Sequence, residues 1–123
     1  MYYNDGTYRL LNTSRPITGD IEQVDFYENG YWVAVTHNKL YLTDSMSIRE
    51  FDSLVETAIR AIAIEGLGYV EPTGFAGVWS SGPRVVCVDV AHHVKSRETA
   101  IVFGRSTNQY SIWDIAKGEE IVL

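Results

Sequence analysis

From Ile21 to Thr43 apolar and polar side chains alternate with a period of two, interrupted at Asn29-Gly30 and at His37-Asn38. Alternation of this kind marks half-buried strands, and two-residue polar breaks mark tight turns. The pattern predicts a three-stranded meander made of Ile21–Glu28, Tyr31–Thr36 and Lys39–Thr43. Asn-Gly suits a type I′ turn, whose two central residues both need positive φ. In that register Tyr27 faces Trp32, Phe26 faces Val33, Val24 and Leu40 both face Val35, and Val33 faces Leu42. One face then collects Val24, Phe26, Val33, Val35, Leu40 and Leu42. The other collects Asp25, Tyr27, Trp32, Ala34, Thr36, Lys39, Tyr41 and Thr43.

The period then changes. Ser47-Ile48-Arg49-Glu50 fits a capping box, and Ile48, Phe51, Leu54, Val55, Ala58, Ile59 and Ile62 recur at helical spacing. These positions predict a single main helix over residues 47–65, with Gly66 placed to end it and the apolar face of the meander as its packing partner. Residues 66–83 hold five glycines, two prolines and one short apolar run at Phe75–Trp79. They read as a connector or flap. Beyond them, Arg84–Ala91, Thr99–Phe103, Tyr110–Ile115 and Glu120–Leu123 read as strands, with Thr7–Leu11 as a further edge strand. Strands, one helix and more strands, without βαβ alternation, predict an α+β fold. Its expected form is a mostly antiparallel curled sheet of about 6–7 strands packed on the main helix, with residues 1–123 as a single domain.

Charge narrows the functional classes. The net charge is −6, and all of the excess lies in residues 1–71, where eleven carboxylates face five basic side chains. Repulsion from phosphates argues against direct nucleic-acid binding by this half. Cys87 is the one cysteine, so no internal disulfide can form, and with no basic-then-apolar leader in the sequence a cytoplasmic protein is expected. No run approaches the ~18 apolar residues of a membrane span.

Cys87, Asp89 and His93 share one side of a straight strand, but six residues at ~3.4 Å each hold Cys87 and His93 about 20 Å apart. His92 and His93 point to opposite faces and cannot chelate one ion. Gly66-Leu67-Gly68 follows a helix instead of opening one, and Ser80 lies in no nucleophile elbow. Asp20, Glu22, Asp25 and Glu28 crowd one strand, toward ends where water keeps carboxylates ordinary. No catalytic constellation, metal site or cofactor is expected, and the chain reads as a non-enzyme.

The aromatic face of the meander carries the functional expectation. Tyr27, Trp32 and Tyr41 form a recognition surface on one face, and Asp20, Glu22, Asp25 and Glu28 suit it to a protein partner with a basic surface. Small acidic inhibitors that occupy a nucleic-acid-binding groove, such as phage or mobile-element anti-defence proteins, fit this description on size and charge, with no family motif behind them. Two alternatives are a small-molecule-binding domain or minor enzyme with its pocket between sheet and helix, and a homo-oligomeric structural subunit with the aromatic face as a dimer contact.

Overall fold

The computed structural model of the chain describes residues 5–10, 21–23, 27–36, 38–67 and 75–123. In chain order its elements are β1 (Gly6–Leu10), β2 (Ile21–Gln23), β3 (Tyr31–Ala34), β4 (Lys39–Tyr41), α1 (Ile48–Leu67), β5 (Phe75–Gly82), β6 (Val85–Val94), α2 (Arg97–Ser106), β7 (Ser111–Asp114) and β8 (Glu119–Val122). The fold is α+β, with one curled, unclosed antiparallel sheet and a main helix packed on it. The strand order is β2-β1-β5-β6-β3-β7-β8, and β4 also pairs with β6.

β6 organises the sheet. Its run of Val85, Val86, Val88, Val90 and Val94 is rich in β-branched side chains, as suits a central strand, and a tight turn at Gly82 joins it to β5. On its other side lie both β3 and β4. Tyr31–Ala34 pair with Val94–Ala91, and Lys39–Tyr41 pair with Cys87–Val85. β3 and β4 are therefore two halves of one path running antiparallel along β6, not neighbours in a meander. The partner numbers sum to 125 in β3 and to 126 in β4, so one extra residue is accommodated between Val35 and Asn38, as in a β-bulge. Side chains of β6 and its partner hold this irregularity. The Val90 amide donates to Thr36 Oγ1 at 3.0 Å, and the Asn38 amide donates to Asp89 Oδ1 at 3.2 Å.

Among the described residues the predicted first hairpin does not form either. β2 pairs with β1, and β3 takes β6 and β7 as neighbours. At Asn29-Gly30 only Gly30 has positive φ, at 91°, so the type I′ turn is not formed. Val24, Asp25, Phe26 and His37 lie outside the described residues. The division of the meander into two faces nevertheless holds where it can be followed. Val33, Val35, Leu40 and Leu42 all pack toward the helices.

α1 begins at the predicted capping box. The Glu50 amide donates to Ser47 Oγ at 3.1 Å, and Ser47 Oγ donates to Glu50 Oε1 at 3.2 Å. Phe51, Val55, Ile59, Ile62 and Ala63 are buried against Tyr8, Ala76, Val78, Val86, Val88 and Val90. Ile48 and Leu54, expected in this stripe, are 49% and 41% exposed.

The segment Thr99–Phe103, expected as a strand, lies in α2. Its β-branched residues are outweighed by local helix signals: Ser96 caps the helix by accepting from the Thr99 amide, and Glu98 lies in the first turn. Ala100 and Gly104, four apart, are its buried residues, while Val102 is 67% exposed. A Cβ on Gly104 would come within 2.9 Å of Ile112 Cγ2, so the glycine lets α2 lie close on β7. Asn108, at φ 58°, turns the chain out of the helix. Phe75–Trp79, expected within a connector, belongs to β5 between β1 and β6.

Both helices cover the same face. α1 packs on β1, β5 and β6, and α2 on β3, β7 and the end of β6. Alternate residues Val86, Val88 and Val90 meet α1, while Val94 joins the cluster under α2. Everything of opposite parity points away from the helices.

Candidate functional site

The face turned away from the helices can be laid out from the strand registers. Along one row His93, Trp32, Trp113 and Glu120 stand side by side on β6, β3, β7 and β8. The next row holds Phe75, Ala91 and Ala34. Below it Thr7, Gly77 and Asp89 align, and then Trp79, Cys87 and Lys39. Small side chains at Ala34, Gly77 and Ala91 leave a floor, and the large aromatics rise at its two ends. The result is a trough of about 860 Å³ lined by β1, β5, β3, β7 and β8 together.

All three tryptophans of the chain, Trp32, Trp79 and Trp113, line it, with Tyr27 and Tyr110. Trp32 packs edge-on against Tyr27 and Phe75, with centroids 5.5 Å away in both cases. Tyr27 stacks on His93 at 3.8 Å, and His93 Nε2 lies 2.8 Å from the Asn29 carbonyl oxygen. At the other end the Trp79 indole folds back over Gly77, close enough that an added Cβ there would sit 3.0 Å from Trp79 Cζ3. Trp79 and Trp113 are 40% and 45% exposed. Each has a carboxylate near it in the trough lining. Glu120 is the register partner of Trp113, and Asp5 immediately precedes β1, whose Gly6 pairs with Val78, the chain neighbour of Trp79. Asp5 and Glu120 both line the trough, as does Lys39.

The predicted site residues are only partly assembled. Tyr27 and Trp32 are in contact, as expected, although through a different backbone path. Tyr41 is on the same face but pairs with Val85, eight residues along β6 from the His93 partner of Trp32, or about 27 Å at ~3.4 Å per residue. Glu22 is held by Arg9 in an ion pair of 2.8 Å. Glu28 is exposed beside Tyr27. Asp20 and Asp25 lie outside the described residues. Trp79, Trp113, Asp5 and Glu120 were missed. The last pair of rows was within reach, since Gly118 in the β7–β8 turn sets Trp113 opposite Glu120.

The pocket expected between sheet and helix is filled by the buried side chains of α1, β5 and β6. The trough lies on the opposite face. His92 and His93 diverge, His92 toward Phe103 of α2 and His93 toward Tyr27. Cys87 is buried. Burial pushes its thiol up, reinforced by nearby Asp89 and opposed by a hydrogen bond from Ser81 and by Lys39. Among the described residues no group of three or more His, Cys, Asp or Glu side chains could hold a metal ion, and no helix is long and apolar enough to cross a membrane.

One buried and one half-buried polar group give stability predictions. Asp89 is fully buried and accepts from the Asn38 amide. Asp89→Ala is expected to cost about 1–3 kcal/mol by leaving that donor unsatisfied. Asp89→Asn keeps an accepting oxygen and should cost less. Equal losses in urea melts of the two variants would remove the hydrogen bond as the cause.

Burial lowers the His92 pKa. In this case the unfolded chain binds the proton more readily than the folded one. Stability is therefore fully present above the unfolded value of about 6.5 and declines as pH falls through it, until the folded imidazole also protonates. Denaturant midpoints at pH 7.5 and 5.5 should diverge less in His92→Gln than in wild type. An unchanged difference would assign the pH dependence to other groups.

Comparison with protein-family models, curated proteins and solved structures found no match.

Proposed function

We propose that this chain is a non-enzymatic binding module that docks on a basic surface of a partner protein through the aromatic trough of its sheet. The observation that carries the reading is the gathering of all three tryptophans around the floor of Ala34, Gly77 and Ala91. Exposed indoles on a concave face give large contact area at low entropic cost, as in the anchoring residues of protein interfaces. The net charge of −6 and the trough carboxylates favour a basic partner. Inhibition of a nucleic-acid-binding protein is one use of such a surface. A cytoplasmic setting belongs to the same reading, in keeping with one buried cysteine.

The volume of the trough also favours a second reading, a small-molecule binder, because about 300–1,000 Å³ is the usual size of such sites. Titrating the protein with a twelve-residue Lys/Arg-rich peptide while following tryptophan emission separates the two. The expected result is a saturable, salt-sensitive change that disappears in the Trp79→Ala/Trp113→Ala variant while its circular dichroism stays native. No saturable change, or one that survives in the variant, overturns the docking reading. A rise in Tm with small aromatic ammonium compounds but not with the peptide would favour the small molecule.

A further inference from the structure

The two ends of the trough repeat one arrangement. At each, a partly exposed tryptophan shares the trough with a carboxylate: Trp113 with its register partner Glu120 on β8, and Trp79 with Asp5, the residue before β1. An indole face attracts a cation through its quadrupole, and an adjacent carboxylate supplies charge and hydrogen-bond acceptors. Resting on the docking function proposed above, we infer that the trough recognises arginine, with two arginine side chains of one partner segment seated at the two tryptophan–carboxylate pairs.

Arginine fits these pairs better than lysine for three reasons. Its planar guanidinium stacks on an indole, presents a fork of donors to the neighbouring carboxylate, and is more weakly hydrated than an ammonium. Lysine offers a compact, strongly hydrated charge that gains less from a flat aromatic wall. The sheet also sets the spacing. The Trp113 and Trp79 rows are those of His93 and Cys87, six residues apart on β6, or roughly 20 Å along the strand direction. β5 and β7 also lie three strands apart, about 14 Å across the sheet, so the two tryptophans are roughly 25 Å apart and an extended segment at about 3.4 Å per residue spans them obliquely in roughly seven residues. Between the two ends the small floor residues Ala34, Gly77 and Ala91 admit the segment's backbone. Lys39, in the Trp79 row beyond Cys87, opposes a cation at that end and makes the Trp113 end the stronger arginine seat.

The test uses three otherwise identical twelve-residue peptides carrying Arg, Lys or Gln at two positions seven apart, titrated against the whole chain by tryptophan fluorescence. The Arg peptide should bind tightest, the Lys peptide several-fold more weakly, and the Gln peptide not measurably. Replacing one Arg by Gln should weaken binding roughly tenfold, the loss of one of two linked contacts. Glu120→Gln, at an exposed position where folding is not at stake, should reduce the preference for Arg over Gln. Equal binding of the Arg and Lys peptides overturns the arginine inference and leaves a basic partner standing. Arg-selective binding that ignores Glu120→Gln and Trp113→Leu moves the site elsewhere and overturns it too. Failure of all three peptides removes both the inference and the docking function beneath it.

Discussion

Phe51→Ala is expected to lower the unfolding free energy by about 3–5 kcal/mol, the range for truncating a fully buried aromatic. Phe51 is 0% exposed and sits in the first turns of α1, in the cluster formed with Val55, Tyr8, Ala76, Val78, Val86, Val88 and Val90. Its ring belongs to the interface between helix and sheet, where neighbours on β5 and β6 are fixed by ladder hydrogen bonds and cannot close over the gap. The loss includes both the transfer of the ring to water and the cavity left behind. Ile48→Ala, one turn earlier and half exposed, should change stability by no more than about 0.5 kcal/mol. Urea melts of the two variants measure the contrast. A loss below about 1.5 kcal/mol for Phe51→Ala would mean that α1 does not anchor the sheet.

Gly30→Ala comes next in size, and it links stability to the trough. Gly30 has φ 91°, a conformation that costs a residue with a side chain about 1–3 kcal/mol. A Cβ there would also run into His93 Nε2 and approach the Val94 carbonyl oxygen to 3.0 Å. Relieving that overlap means moving β6 backbone or the imidazole, at about 1–3 kcal/mol for overpacking. Displacing His93 would break its contact with the Asn29 carbonyl and its stack on Tyr27. The expected result is a lower Tm together with a change in the environment of Trp32, read as a shift in tryptophan emission. A lower Tm with unchanged emission would show that the aromatic cluster does not depend on His93.

Much of the local structure could be read from the chain. The capping box at Ser47 and Glu50, the helix that follows and the strands near 85–91, 110–115 and 120–123 depend on neighbours close in sequence, and they appear where the pattern sets them. The two faces of residues 31–42 were legible for an instructive reason. A two-residue turn and a one-residue bulge both reverse the parity of the chain, so Val33, Val35, Leu40 and Leu42 face inward under either pairing. Parity could not say which strands are adjacent. The hairpin signal at Asn29-Gly30 lost to the pairing of β3 with β6 and β7, a competition between distant segments. At Thr99–Phe103 β-propensity lost to a Ser96 cap and to the close packing allowed by Ala100 and Gly104.

The candidate site divides in the same way. Tyr27 and Trp32 were found because they are near in sequence and share a face. Trp79 was not, because β5 looked like a connector: its glycines suggest a loop, and only the approach of the Trp79 ring gives Gly77 a reason to lie in a central strand. Tyr41 was grouped with Trp32 by a meander that does not form.

By itself the sequence determined the α+β class, the main helix and its cap, the inward and outward parity of the strands, and the acidic balance of the chain. All of these follow from local periodicity and composition. The tertiary structure alone decided the strand order, the second helix, and the convergence of three tryptophans on one trough. Those depend on long-range pairing along β6, whose loop-closure cost and packing gain no local pattern records.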